Sequence, residues 1–376
     1  MAQTKVVYVS SERIRKQLTK LRTIQNRQNM VDDLIESYGI LNHCQLIDPD
    51  PCSYDDLLLF HSSDYVDCLK KHNDADETDD VTDELQEFGL AFDCPLLKNI
   101  YDFVTTIAGS TLAAVNAILT GAQVAINWNG GWHHAQRDCA SGFCYVNDIV
   151  IGIQRLRTRF QKILYIDLDV HHGDGVEAAF SFSKYVMTLS FHLHEPGYFP
   201  GSGNISEIGL GLGKGYTVNA PYKRDICGEV FTKYFENVST KVWESFQPNV
   251  CIIQCGADVI AGDHLGGTNL LPSDLSSCIR TLLKWNIPKI FLGGGGYNPV
   301  NAAKYWTELT ATIVDAPIQK DIPDESSFFL DYGPDFVLDV TPRNVIDKNT
   351  TQYIEHKVGL IEDNLEQFVR IKHVEE

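Results

Sequence analysis

Four short apolar runs constrain this chain most: "QVAIN" (Gln123 to Asn127), "KILYI" (Lys162 to Ile166), "VCIIQ" (Val250 to Gln254) and "KIFLG" (Lys289 to Gly293). Runs this short and this apolar read as strands buried on both faces. Each gives way at once to a polar or glycine-rich segment: "WNGGWHHAQRD", "DLDVHHGDG", "CGADVIAGD" and "GGGYNP". Helix-like stretches such as "MVDDLIESYGI" and "NIYDFVTTIAGSTLAAVNAILTG" alternate with them, and "KVVYVS" near the start reads as a further strand. That alternation predicts an α/β fold in which crossover helices join the strands of a central parallel sheet. In such a sheet the ligand crevice lies beyond the carboxyl ends of the strands, so the four polar segments are expected to converge.

The segment after "KILYI" carries the clearest chemistry. In an extended chain residues two apart share a face, so Asp167, Asp169 and His171 point together while Leu168 and Val170 point the other way. A divalent ion takes anionic oxygens or neutral imidazole, and a catalytic site holds it with three protein ligands and an open position for water. Asp258, an isolated acid beyond "VCIIQ", supplies the third ligand, so Asp169, His171 and Asp258 are assigned to a metal. Without a cation, burying so many acids would be expensive. Spacing alone suits zinc, Fe(II) or Co(II) equally. His133 and His134 come from another strand end, with Asp167 and Asp174 at hand to orient their rings, and read as acid/base groups. Tyr297 follows four glycines, Gly293 to Gly296; its phenol either donates to a developing oxyanion or is an ordinary buried tyrosine.

Charge and composition narrow the classes. A net charge of −19, from 31 basic and 50 acidic residues, argues against nucleic acid or an anionic membrane as partner. Ten cysteines without a CxxC pair suggest reduced thiols in a cytosolic or nuclear compartment. The N-terminus does not read as a secretory leader, and no run approaches the roughly 18 apolar residues of a membrane helix, so a soluble intracellular chain is expected. The run from Asp74 to Glu84 holds seven carboxylates and is read as an exposed loop. "GLGLGKG" (Gly209 to Gly215) is read as a turn and not a phosphate loop, because no strand leads into it and strand-like "YTVNA" follows.

"NWNGGWHHAQRDCASGFCYVNDI", "DLDVHHGDGVE", "GADVIAGD" and "GGGGYN" together resemble the diagnostic segments of the class I zinc-dependent histone deacetylases, in the same order, with the likeness running from Arg27 to Phe336. The resemblance implies a single arginase/deacetylase-like domain over residues 1–376, with helices on both faces of the parallel sheet. It implies hydrolysis of N6-acetyl-lysine in histones or other proteins, in nucleus and cytoplasm, with corepressor partners left open. On matching positions, Asp169, His171 and Asp258 would hold zinc; His134, partnered by Asp174, would act as general base and then acid; His133, partnered by Asp167, would assist as a charged group; and Tyr297 would polarise the carbonyl. Phe143 and Phe199 would wall a lysine tunnel, Asp93 would hold the substrate backbone at the rim with Leu265 also meeting substrate, the Gly142 carbonyl would contact the substrate amide, and Arg27 would line an acetate-release region. Potassium is implied at two places: carbonyls of Asp167, Asp169, His171 and Phe191 with the Ser190 hydroxyl, and carbonyls of Phe180, Ser183, Val186 and Tyr216. Leu265 is usual for the class although one branch carries Met there, and Asn29 stands where that branch has a phosphorylatable serine. Two other readings stay open: a polyamine or long-chain acyl-lysine deacylase, and an inactive acyl-lysine-binding corepressor scaffold. A binuclear manganese ureohydrolase would need more bridging acids than these motifs supply.

Overall fold

The structure is a computed structural model that describes residues 6–75 and 81–370. Eight strands form one sheet: β1 (Val6–Val9), β2 (Cys44–Ile47), β3 (Val124–Asn127), β4 (Ile163–Asp167), β5 (Val186–Leu193), β6 (Thr217–Tyr222), β7 (Val250–Gln254) and β8 (Lys289–Leu292). Their order is β2-β1-β3-β8-β7-β4-β5-β6, and every pairing is parallel. The four runs singled out above are therefore neighbours at the middle of the sheet.

Alternate residues of each central strand feed two separate apolar layers. Leu164 and Ile166 of β4, with Cys251 and Ile253 of β7, pack on one side against the helices Gly228–Phe246, Pro272–Leu283 and Pro299–Val314. Ile163 and Tyr165, with Val250 and Ile252, pack on the other against Ile100–Leu119 and Asp148–Leu156. Burial on both faces is why these strands read as unbroken apolar runs.

One expectation is corrected. The helix Ile100–Leu119 is long and apolar enough by length and composition to cross a membrane, yet 78% of its apolar window is buried inside the fold. It is the core helix of the second layer. The ten cysteines are all free. Residues 76–80 of the acidic run lie outside the described residues. At its end the run is helical and not a loop, because Thr82 accepts from the Leu85 N–H and caps the short helix Asp83–Glu87. "GLGLGKG" turns through Gly211–Gly213 and leads into β6.

Candidate active site

The carboxyl ends of β4 and β7 bring Asp169, His171 and Asp258 together. One ligand atom of each lies within 4.8 Å of the others, and all three residues are buried. His171 Nδ1 is 3.2 Å from Asp169 Oδ1 and 3.2 Å from Asp258 Oδ2. Asp169 Oδ2 also accepts from Gln254 Nε2 at 2.8 Å and from the Gly295 N–H at 2.9 Å, and Asp258 Oδ1 accepts from the Val170 N–H at 3.1 Å. Gln254 is itself fixed, its Oε1 accepting from the Gly256 N–H at 2.8 Å.

The electrostatics of this group call for a cation. Burial, and then the charge of Asp169, push Asp258 up to about 7. Asp169 moves the other way: burial opposes its ionisation, but His133 and His171 outweigh it and hold the carboxyl well below its usual range. Burial would lower His171, yet its hydrogen bonds to the accepting carboxylates of Asp169 and Asp258 raise it to about 10. A proton on His171 is thus held between two carboxylates where a positive ion is wanted. Two carboxylate oxygens and one imidazole nitrogen fit a small divalent metal of the zinc, iron or cobalt group.

Beside this group stand the two consecutive histidines after β3. His133 Nδ1 is 2.8 Å from Asp167 Oδ2, which also accepts from the Tyr165 hydroxyl at 2.6 Å. His134 Nδ1 is 2.7 Å from Asp174 Oδ1, whose Oδ2 accepts from Gln136 Nε2 at 3.0 Å. The environments drive the two rings apart. Burial acts against the charge on His133, but Asp167 and Asp169 overcome it and raise the ring to about 9. Burial, with the charge of His133 next, lowers His134 to about 4. At neutral pH one ring is cationic and its neighbour neutral. Burial, followed by Asp258 and Asp169, pushes the Tyr297 phenol well above 10, so it remains an O–H donor.

The aromatic residues frame the approach. Phe143, at φ 65°, lies with its ring 5.7 Å from that of Tyr297. Phe199 packs edge-on against His134 at 4.9 Å and lies 6.2 Å from His171, and it remains 43% exposed. Asp93 is exposed and accepts from the Gly142 N–H at 2.7 Å, and Leu265 is 38% exposed. Arg27 is buried deeper. Its Nη1 donates to the carbonyls of Gly294 and Gly296, each at 3.0 Å, and its guanidinium lies over Trp306; burial lowers it to about 10. One cavity is lined by Arg27, Gly131, His133, His134, Phe143 and Tyr297.

The residues read for potassium fall in two places. Asp167 and Ser190 are register partners at the carboxyl end of β4, next to Phe191, and the Ser190 hydroxyl lies 2.8 Å from His192 Nδ1. Phe180 ends the helix Asp174–Phe180, Ser183 lies in the segment that follows and Val186 begins β5; the Ser183 N–H donates to the Phe180 carbonyl at 2.8 Å and the Thr188 N–H to the Tyr216 carbonyl at 3.0 Å.

Several supporting residues escaped the sequence reading. Asp148 accepts from the Gly131 and Trp132 N–H groups at 3.0 and 2.9 Å, and Asn147 Nδ2 donates to the Ala135 carbonyl at 3.0 Å, so one helix start grips the chain on both sides of the histidine pair. The available signal was an Asn-Asp pair, buried and polar, in the apolar run "YVNDIVIGI". Gln254 ends an otherwise apolar strand and Tyr165 carries a buried hydroxyl in the middle of another, so each polar group requires a partner.

Comparison with known proteins gives the family. A profile of the histone deacetylase domain matches residues 22–313. The chain is 44% identical over 347 residues to histone deacetylase 8 of Xenopus tropicalis, covering 92% of this chain and 93% of that protein. It is 41% identical over 365 residues to histone deacetylase 8 of Danio rerio, covering 97% and 96%. Human histone deacetylase 1 is 38% identical over 341 residues, 90% of this chain and 70% of that protein. The chain belongs to the histone deacetylase family, in its class I, and is more similar to these histone deacetylase 8 proteins than to that histone deacetylase 1.

Proposed function

We propose that this lysine deacetylase hydrolyses N6-acetyl-lysine of histones or other proteins to lysine and acetate, with residues 1–376 acting as one catalytic domain. The observation that carries the reading is the buried Asp169–His171–Asp258 group, with His134, held by Asp174, and Tyr297 lining the cavity beside it. Those three side chains would hold one divalent ion, zinc by the family likeness with Fe(II) or Co(II) as alternatives, which when bound supplies Lewis-acid polarisation of the amide carbonyl and a more acidic water.

This chain's own groups do the rest. His134, with Nδ1 held by Asp174, uses Nε2 to take a proton from the attacking water. Tyr297 donates its O–H to the oxygen that gains negative charge. His134 then returns its proton to the lysine nitrogen as the C–N bond breaks. His133, kept cationic by Asp167, adds a fixed positive charge. Phe143 and Phe199 exclude water from the uncharged lysine stem, Asp93 holds the substrate backbone at the rim beside Leu265, and the Gly142 carbonyl meets the substrate amide. Arg27 and the cavity behind it accept the departing acetate. Potassium at the two carbonyl groups, nuclear and cytoplasmic residence, and corepressor partners belong to the same reading.

The test is acetate release from an acetyl-lysine peptide by wild type and Tyr297→Phe. Removing one oxyanion donor should lower kcat by about 10² to 10³. Full kcat in the variant would refute the assigned role. Faster turnover of acetylspermidine than of the peptide would move the substrate class to polyamines.

A further inference from the structure

The glycine run that lets Tyr297 approach the metal group leaves its loop with little stiffness of its own: Gly294 and Gly296 have φ of 150° and 131°, open mainly to glycine. Something else must hold the tyrosine in place. Asp263 Oδ2 accepts from the N–H groups of Tyr297 and Asn298 at 2.7 and 3.1 Å, where the helix Pro299–Val314 begins. Its Oδ1 accepts from the N–H groups of Leu265 and Gly266 at 2.9 and 3.2 Å. One carboxylate therefore binds four main-chain donors from two separate segments, the tyrosine loop and the rim loop.

The rim loop is tied from its other side as well. The Tyr198 hydroxyl donates to the Leu265 carbonyl at 3.0 Å, and the Tyr198 ring stacks on His171 with 2° between planes and 5.2 Å between centroids. We infer that Asp263 is a positioning residue that makes the substrate rim at Leu265 and the phenol of Tyr297 one rigid unit. The inference rests on the role proposed for Tyr297 and adds what sets that phenol's position. The carboxylate also sits at a helix start, where unpaired N–H groups favour negative charge.

The test is a double-mutant cycle. Asp263→Ala and Asp263→Asn are each made alone and with Tyr297→Phe, and kcat, KM and bound metal are measured with an acetyl-lysine peptide. Alone, Asp263→Ala should slow kcat by about 10- to 100-fold, the scale of a displacement near 1 Å, with the metal retained. Asp263→Asn keeps one accepting oxygen and should fall between wild type and Asp263→Ala; it carries the same cycle if the alanine variant does not fold. In the Tyr297→Phe background the further loss in kcat should shrink to about twofold or less, because a positioning effect has no hydroxyl left to act on. KM should rise in both backgrounds, since the rim loop loses its anchors either way. Equal slowing in both backgrounds, as a merely structural role gives, would overturn the inference, and so would a wild-type kcat in Asp263→Ala. If Tyr297→Phe alone keeps full kcat, the reading of Tyr297 falls and this inference falls with it.

Discussion

Replacing Gly295 with alanine should dislodge a metal ligand in a chain that still folds. The φ of Gly295 lies outside the left-handed region, so alanine can adopt its backbone there, but the added Cβ would sit 1.9 Å from Asp258 Oδ2 and 3.1 Å from Asp169 Oδ2. Real Cβ contacts essentially never fall below 3.0 Å, so the Asp258 oxygen must retreat by about 1.1 Å. Metal–ligand distances tolerate only about 0.2 Å. Asp258 is fully buried with its other oxygen bonded to the Val170 N–H, so it has little room to move and still coordinate. Loss of an outer partner alone costs about 10- to 100-fold in metal affinity; displacing a ligand should cost at least the upper end of that range. The assay is competitive zinc titration of metal-stripped protein, with circular dichroism to confirm folding. Gly359→Ala is the control, on a helix where a Cβ meets nothing within 4 Å. It should bind zinc normally and gain about 0.5–1 kcal/mol of stability. Wild-type zinc affinity in Gly295→Ala would refute the reasoning, because Asp258 could not then be the ligand at that position.

Gln254→Leu, similar in volume but without the donor to Asp169, should weaken zinc binding by about 10- to 100-fold, read by the same titration; unchanged affinity would remove Gln254 from the site's support. His61 makes a test by pH. Its Nδ1–H donates to the Arg137 carbonyl and its Nε2 accepts from the Asn147 N–H, and burial lowers it from 6.5 to about 4. Between those values the unfolded chain binds the extra proton, so the stability from neutral His61 is present above pH 6.5 and lost as pH falls toward 4. That difference is worth roughly 3 kcal/mol at most. Urea unfolding from pH 7 to pH 4 should therefore weaken less steeply in His61→Phe; parallel curves would contradict it.

The four central strands were legible because both their faces are buried, which leaves an unbroken apolar run. Edge strand β2, Cys44–Ile47, has two exposed residues and no such run. β6 was legible only as the strand-like "YTVNA", short of Pro221 and Tyr222, while β5, "VMTLSFHL", interleaves polar residues with apolar ones, yet every position of both strands is buried. Tertiary burial of polar groups is invisible to periodicity. The clustering of Asp169, His171 and Asp258 was legible because charged residues so close to apolar strands have few other uses. Asn147, Asp148, Gln254 and Asp263 were harder, since each acts by accepting or donating to main chain whose position only the fold defines. Ile100–Leu119 misled in the opposite sense: its threonines and its serine broke the apolar run, while their hydroxyls, at Thr105, Thr106 and Ser110, are satisfied by carbonyls of the same helix.

The central claim is that one divalent ion, gripped by Asp169, His171 and Asp258, is required for deacetylation. The direct measurement is metal stoichiometry together with acetate release for wild type and Asp258→Ala, as zinc is added to stripped protein. Activity in the wild type should rise in step with binding of one ion per chain, and Asp258→Ala should bind the ion weakly and stay inactive throughout. Activity that persists in stripped wild type, or an Asp258→Ala protein that fills and turns over normally, would contradict the account.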